Sequence, residues 1–264
     1  MTILLTNDDG IRSPGLWAAA EKLSLIAELW VVAPEKQCSS AGRSHSRDAT
    51  GKVTVRESQV DGAKCFAVDC SPAQCIHHAL LNIMPKKPDL IVSGINSGVN
   101  VSIDVTRSGT VGAALEAANY GIPAMAVSLE TTEEDIFSDE PKADFSIAAD
   151  FCRKLAPAFR DLGADVHVLK VEVPAGASTF TEWELTSLSR LPYYLVMKSD
   201  SSDDNHHNGL SWQTQNDFSV FKEGTDAHTV FVKKKVAVTP LSLDLTSRVS
   251  LDEIQEKIET DLTD

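Results

Sequence analysis

The chain has 264 residues, 42% of them apolar and 23% charged, and its 24 basic against 38 acidic side chains leave a net charge of −14. This excludes an intrinsically disordered chain, contains no apolar run long enough for a membrane span, and suffices for one sizeable α/β domain or two small ones. The acidity argues against a broad nucleic-acid surface, which needs clustered positive charge, but not against a small phosphorylated substrate, because one bound cation reverses the local field.

The opening run Ile3-Leu4-Leu5 is too short for a secretory leader and no basic residue precedes it, so it predicts a buried strand in a cytoplasmic protein. The polar turn Asn7-Asp8-Asp9-Gly10 follows. Ser13-Pro14 offers an N-cap and a proline at the first helical position of a helix that carries Leu16, Ala19, Ala20 and Leu23 inward. Leu29 to Ala33 reads as a second strand, stopped by Pro34. Glu35 to Gly51 is aperiodic and long for a connection. Val53 to Arg56 and Lys64 to Val68 suit a small hairpin, and Ser71-Pro72 opens a helix to about Ile83. Asp89 to Gly94 is a further buried strand, and Gly94 to Thr106 a loop. Ser108 caps a helix through about Asn119, ended by Gly121, before a strand from Ala124 to Leu129.

Glu130 to Pro141 is an acidic loop of solvated charges. Ala143 to Phe159 reads as helix, Val166 to Val173 as strand, Ser199 to Gly209 as a polar loop and Thr229 to Val238 as strand-like. Ser250-Leu-Asp-Glu253 is a capping box for a C-terminal helix. Five cysteines, Cys38, Cys65, Cys70, Cys75 and Cys152, are an odd number without the close pairing of a zinc ribbon, and fit buried small hydrophobes in a reducing compartment. With no internal repeat and no clear linker, the chain reads as one α/β domain with a less regular C-terminal half.

In an open α/β sheet, ligands bind beyond the carboxyl ends of the strands. Three unusual loops fall there: Asn7 to Gly10, Gln37 to Ser46, and Gly94 to Thr110. Adjacent Asp8 and Asp9 can hold a hard divalent ion through oxygen, or belong to an Asx turn closed by Gly10. Ser39 and Ser40 can complete an oxygen shell, donate to phosphate, or face solvent. Asn96 and Asn100 supply neutral carbonyl and amide groups. Ser108-Gly109-Thr110 is either a plain N-cap or an anion site on free N–H groups and the helix dipole. Adjacent His77 and His78 point in different directions on a helix and do not chelate, and Asp203 to His207 reads as a solvated tip. No dinucleotide fingerprint, P-loop or nucleophile elbow occurs.

Taken together, Thr6-Asn-Asp-Asp-Gly10 with Pro14-Gly15, Val31-Val-Ala-Pro34, Ser93-Gly-Ile-Asn96 with Gly98 and Asn100, Ser108-Gly-Thr-Val111, Gly224-Thr-Asp226 and Val238-Thr-Pro-Leu241 resemble the SurE family, the survival protein E nucleotidases. The resemblance implies the fold class α/β, a Rossmann-like three-layer sandwich on a mostly parallel sheet, with the core and active-site loops in 1–131, the remaining α/β elements and a projecting β-hairpin in 142–239, and a C-terminal tail in 240–264. It further implies a divalent-metal phosphatase acting on nucleoside 5′-monophosphates, with 3′-monophosphates as further substrates. Its Mg²⁺ or Mn²⁺, one per subunit, would be held by Asp8, Asp9, Ser39 and Asn96. Asn100, Ser108, Gly109 and Thr110 would hold the phosphate, and Asp8 and Asp9 would carry the catalysis. It also implies a homodimer or homotetramer, with Ser199 to His228 as projecting hairpin and Pro240 to Asp264 as an exchanged tail. The other readings are a phosphatase for polyphosphate or another small phosphate ester, and a non-catalytic nucleotide-binding regulator. This chain departs from the family pattern at three places. Cys38-Ser39-Ser40 replaces Arg-Ser-Gly, Arg107 replaces an aromatic residue, and Val99 replaces proline.

Overall fold

A computed structural model describes residues 1–136, 142–158, 165–198 and 210–263. The core sheet has nine strands in the order β3-β4-β2-β1-β5-β6-β7-β11-β8. They are β1 Thr2–Thr6, β2 Glu28–Pro34, β3 Val53–Arg56, β4 Lys64–Val68, β5 Leu90–Ser97, β6 Ala124–Leu129, β7 Val168–Val173, β8 Trp183–Leu185 and β11 Val236–Leu241. The pairs β4-β2-β1-β5-β6-β7 are parallel, whereas β3 meets β4, and β11 meets β7, antiparallel.

The central strands are mostly apolar because both sheet faces are covered, and alternate residues feed different layers. Ile3 and Leu5 of β1, Val31 of β2 and Val127 of β6 pack on one side with α1 Pro14–Ser24 and α5 Ser146–Leu155. Leu4, Trp30, Val32 and Ala126 pack on the other with α2 Pro72–His78 and α3 Gly109–Asn119. This is the expected three-layer sandwich. Smaller elements are α4 Glu133–Ile136, α6 Asp226–Phe231 and α7 Leu251–Thr263. A separate antiparallel hairpin joins β9 Tyr194–Lys198 to β10 Leu210–Thr214. No described helix is long and apolar enough to cross a membrane.

Four expectations change. Thr229 to Val238 is not one strand: α6 ends at Phe231 and β11 begins at Val236, because the cluster of Val230, Phe231 and Ala227 is packed by a helical turn. The helix after Ser71 gives way at Ala79–Ile83 to a π-helical turn. The strand after Asp89 continues to Ser97, so Asn96 lies on the strand end rather than in a loop. Within the acidic stretch, Glu130 is not simply solvated but pairs with Lys234 at 3.1 Å. At the helix starts, Ser71 and Gln74 form a reciprocal capping box, whereas the Ser13 side chain makes no cap and Pro14 alone marks that start. Ser199 to Gly209, with its Asp203–His207 candidates, lies outside the described residues.

Candidate active site

β1 and β5 are paired, Thr6 opposite Ser93, so the turn leaving β1 and the end of β5 emerge side by side. The Asx turn exists, but Asn7 makes it: its side chain donates to the Gly10 carbonyl (3.0 Å) and accepts from the Gly10 N–H (3.2 Å). That leaves both following carboxylates without a local task. Asp8 is 4% exposed and accepts from the Thr110 hydroxyl at 2.5 Å. Asp9 accepts from the Ser97 N–H at 2.9 Å and from the Gln37 amide at 3.5 Å. Burial pushes the Asp8 carboxyl up to about 6, against the pull of hydrogen bonds from Thr110 and Gly109. Burial and the neighbouring Asp8 charge push Asp9 up to about 8. Among the described residues, no ion pair reaches either carboxylate.

The other two loops are tied to this turn. The Cys38 N–H donates to the Asp8 carbonyl (2.7 Å) and the Gly42 N–H to the Arg107 carbonyl (2.9 Å). Gly109 sits against Asp8, where a Cβ would come within 2.8 Å of its carboxylate, so the start of α3 accepts no larger residue. The amide of Asn96 is engaged by the Gly98 carbonyl at 2.7 Å, which leaves its side-chain oxygen as the available ligand atom. Asn100 donates to Ser128 (2.9 Å) and reaches Thr110 at 3.4 Å. Ser108 caps α3 by accepting from the Val111 N–H at 3.1 Å.

Asp8, Thr110 and Asn100 are thus joined by hydrogen bonds, and Gly109 packs on Asp8. Asp9 is held by Ser97, the neighbour of Asn96, while the Asn96 side chain bonds, among the described residues, only to the Ser97 and Gly98 carbonyls. Ser108 caps the adjoining helix. Ser39 is exposed and makes no hydrogen bond among the described residues, whereas its neighbour Cys38 is tied to Asp8. Ser40 holds φ +59°, the left-handed conformation that glycine adopts freely, so the loop bends there without the family's glycine. Arg107 donates to Asp104 at 2.6 Å and lies 4.8 Å over the Trp212 ring of the hairpin. A cleft of about 380 Å³ opens beside Asp9, with Arg12, Lys36, Gln37 and Ser97 among its lining.

Two supporting residues, Lys170 and Glu172, escaped the sequence reading, and a third, Asp226, entered it only as part of a motif without a role. Lys170 and Glu172 of β7 and Asp226 of α6 are fully buried, with the ammonium 3.0 Å from Asp226 and 3.5 Å from Glu172. Glu172 accepts from the Asn100 N–H (3.0 Å) and Asp226 from the Ser102 N–H (2.9 Å), so the triad anchors the loop that carries Asn100. Two charges at alternate positions of an otherwise apolar strand were the available signal. Asp104, which accepts from the N–H groups of Tyr193 (2.8 Å) and Tyr194 (3.0 Å), fixes the hairpin base beside the same loop.

Comparison with known proteins identifies the family and the fold. The sequence pattern of the family described as Survival protein SurE matches residues 3–194. The 5′-nucleotidase SurE of Thermococcus gammatolerans is 38% identical over 97% of this chain and 95% of its own. That of Archaeoglobus fulgidus is 38% identical over 97% of this chain and 96% of its own. The crystal structure of the SurE protein from Aquifex aeolicus superposes with a TM-score of 0.76 at 30% identity, covering 98% of this chain and 100% of that one. The chain belongs to the SurE family. Both the fold and the resemblance drawn from the motifs are thereby borne out, and the Asp8–Asp9 turn and the Ser108–Thr110 helix start lie within the SurE match.

Proposed function

We propose that this SurE protein is a divalent-metal-dependent phosphatase that hydrolyses nucleoside 5′-monophosphates, with 3′-monophosphates as a second substrate class. The observation that carries the reading is the adjacent pair of carboxylates, Asp8 and Asp9, which burial resists ionising and which form no ion pair with a cationic side chain among the described residues. Such a pair fits a hard cation: the donors are oxygen, their ionisation is resisted by burial, and a 2+ charge relieves both penalties. Asp8, Asp9 and the Asn96 side-chain oxygen would hold Mg²⁺ or Mn²⁺, with Ser39 completing the set by movement of its exposed loop. The cation supplies Lewis-acid polarisation and charge neutralisation at the phosphoryl group.

The rest of the chemistry belongs to the chain. Thr110 orients Asp8. Asp9 Oδ2 is fixed by the Ser97 N–H, while Oδ1 has only a long contact with Gln37 and is free to orient a water and take its proton. Asn100, Ser108 and the N–H groups of Gly109 and Thr110 bind and orient the phosphate oxygens at the helix start. The reading includes assembly as a homodimer or homotetramer through the hairpin and the 240–264 tail, in the cytoplasm, where all five free cysteines would remain reduced.

The test is phosphate release from 5′- and 3′-nucleoside monophosphates and from polyphosphate, with Mn²⁺, Mg²⁺ or EDTA, beside Asp9→Asn. Metal-dependent release that the variant loses supports the reading. Folded, metal-loaded protein that releases nothing from any monophosphate sinks it, and polyphosphate turnover alone would redirect it.

A further inference from the structure

Glu116 is a charged residue in the alanine-rich helix α3, and it is 4% exposed. Two partners reach it from outside the helix. Arg43 donates to Oε2 at 2.5 Å, and His77 Nε2 lies 2.9 Å from Oε1. Against the effect of burial, these partners hold the Glu116 carboxyl below its ordinary value, so it is a carboxylate at neutral pH. The His45 ring, exposed and without a hydrogen bond among the described residues, stands 4.6 Å from the His77 ring and tilted 56° to it. His45, His77 and Glu116 each offer one ligand atom, and these atoms lie within 4.8 Å of one another. They come from three separated stretches of sequence, which is why the adjacent pair His77-His78 gave no chelate: the partner of His77 is His45.

We propose that His45, His77 and Glu116 form a second metal site, for a transition-metal ion such as Zn²⁺, separate from the carboxylate turn. Two imidazoles and one carboxylate are a borderline-soft donor set that selects zinc over magnesium. In a tetrahedral site, bonds of about 2.0–2.1 Å put ligand atoms about 3.3 Å apart. The His77–Glu116 pair already has nearly that spacing, and only the free His45 ring must close in. The ion takes the place of the Nε2 proton of His77, which is released to solvent on binding. Arg43 stays on the far carboxylate oxygen and fixes its orientation, the part that outer hydrogen bonds play at metal centres. The fourth position is left to water. Glu116 lies seven residues along α3 from Gly109, about 10 Å at the helical rise, so the site shares no ligand with Asp8 and Asp9.

The consequence concerns the serine loop. Arg43 and His45 belong to the 35–51 connection that carries Ser39 and Ser40. That segment is already pinned to α2, where Ser71 donates to the Ser44 carbonyl (2.6 Å) and Gln74 to the Ser46 carbonyl (3.1 Å). A bound ion adds a coordinate bond from the loop to both α2 and α3.

The experiment uses the full-length protein carrying Asp8→Asn and Asp9→Asn together, which removes the carboxylate turn as a competitor. Equilibrium dialysis should show one Zn²⁺ per chain at micromolar concentration and no Mg²⁺. Adding His45→Ala or His77→Gln should weaken zinc binding at least tenfold. The His45 ring is exposed and makes no hydrogen bond among the described residues, so its variant remains informative if the His77 variant does not fold. Substituted Co²⁺ should give visible bands of nitrogen and oxygen coordination. A strong thiolate charge-transfer band would assign the ion to Cys38 or Cys70 and overturn the proposal. Zinc bound equally well without His45 and His77, or not bound by the Asp8, Asp9 variant, would also overturn it. Zn²⁺ should slow tryptic cleavage after Arg47, an effect lost in His45→Ala. Equal cleavage with and without zinc would refute the loop attachment.

Discussion

Asp8 and Asp9 hold their protons more tightly in the folded chain than in the unfolded one, with values of about 6 and 8. The folded state therefore binds more protons between the ordinary carboxylate range near 4 and about pH 8, and stability falls as pH rises through that window. A cation at the pair reverses the trend, because it favours the ionised form. In EDTA, the melting temperature should fall from pH 5 to pH 8.5, and the fall should shrink in Asp9→Asn. Saturating Mn²⁺ at pH 8 should raise it by about 5 °C or more, an increment absent from the variant. A melting curve that is flat with pH and blind to Mn²⁺ would contradict a cation site. Turnover of Asp9→Asn should drop by roughly 10²–10⁴-fold if Asp9 positions the water or takes its proton. At Ser40, φ of +59° is costly for any side chain. Ser40→Val should destabilise by about 1–2 kcal/mol in denaturant titration, whereas Ser40→Gly should be neutral or gain a few tenths.

At the scale of elements, β7 and α6 support a loop that neither belongs to. Lys170 joins two carboxylates, and those carboxylates hold the N–H groups of Asn100 and Ser102. Removing the ammonium leaves two buried acids sharing one space, so Lys170→Met should cost about 3–5 kcal/mol in urea unfolding. Glu172→Gln keeps the shape and an acceptor for Asn100, and should act more on phosphate binding, seen as a raised KM, than on kcat. The irregular pairing of β5 with β6 between Ser93 and Asn96 is a comparable device. It changes the course of the strand before its end, and Asn96 and Ser97 leave toward the Asp8–Asp9 turn.

Across the whole molecule, α7 carries Leu251, Ile254, Ile258 and Leu262 at helical spacing, each exposed, with Leu262 at 80%. An apolar stripe of that kind on a terminal helix is the surface expected of the proposed assembly. Deleting residues 245–264 should therefore lower the particle mass in light scattering to a smaller oligomer. Far-UV signal from the nine-stranded core should be retained, since the deletion begins beyond β11. An unchanged mass would remove the tail from the interface.

The sequence by itself determined the strands that are buried on both faces, because their residues are apolar without alternation, and the helix starts at Pro14, Ser71 and Ser108, because capping chemistry is local. It also determined the family, through motifs whose order and spacing lie along the chain. It misread Thr229 to Val238, where β-branched residues pack a helical turn against Phe221 and Val101, a context that no local pattern records. Only the tertiary structure decided that Asn7 closes the turn and frees Asp8 and Asp9. It alone placed Thr110 on Asp8, buried Lys170 between Glu172 and Asp226, and brought His45 to His77 and Glu116. Each of these pairings joins side chains through space after the backbone has folded, and sequence separation carries no information about which partners the sheet order brings together.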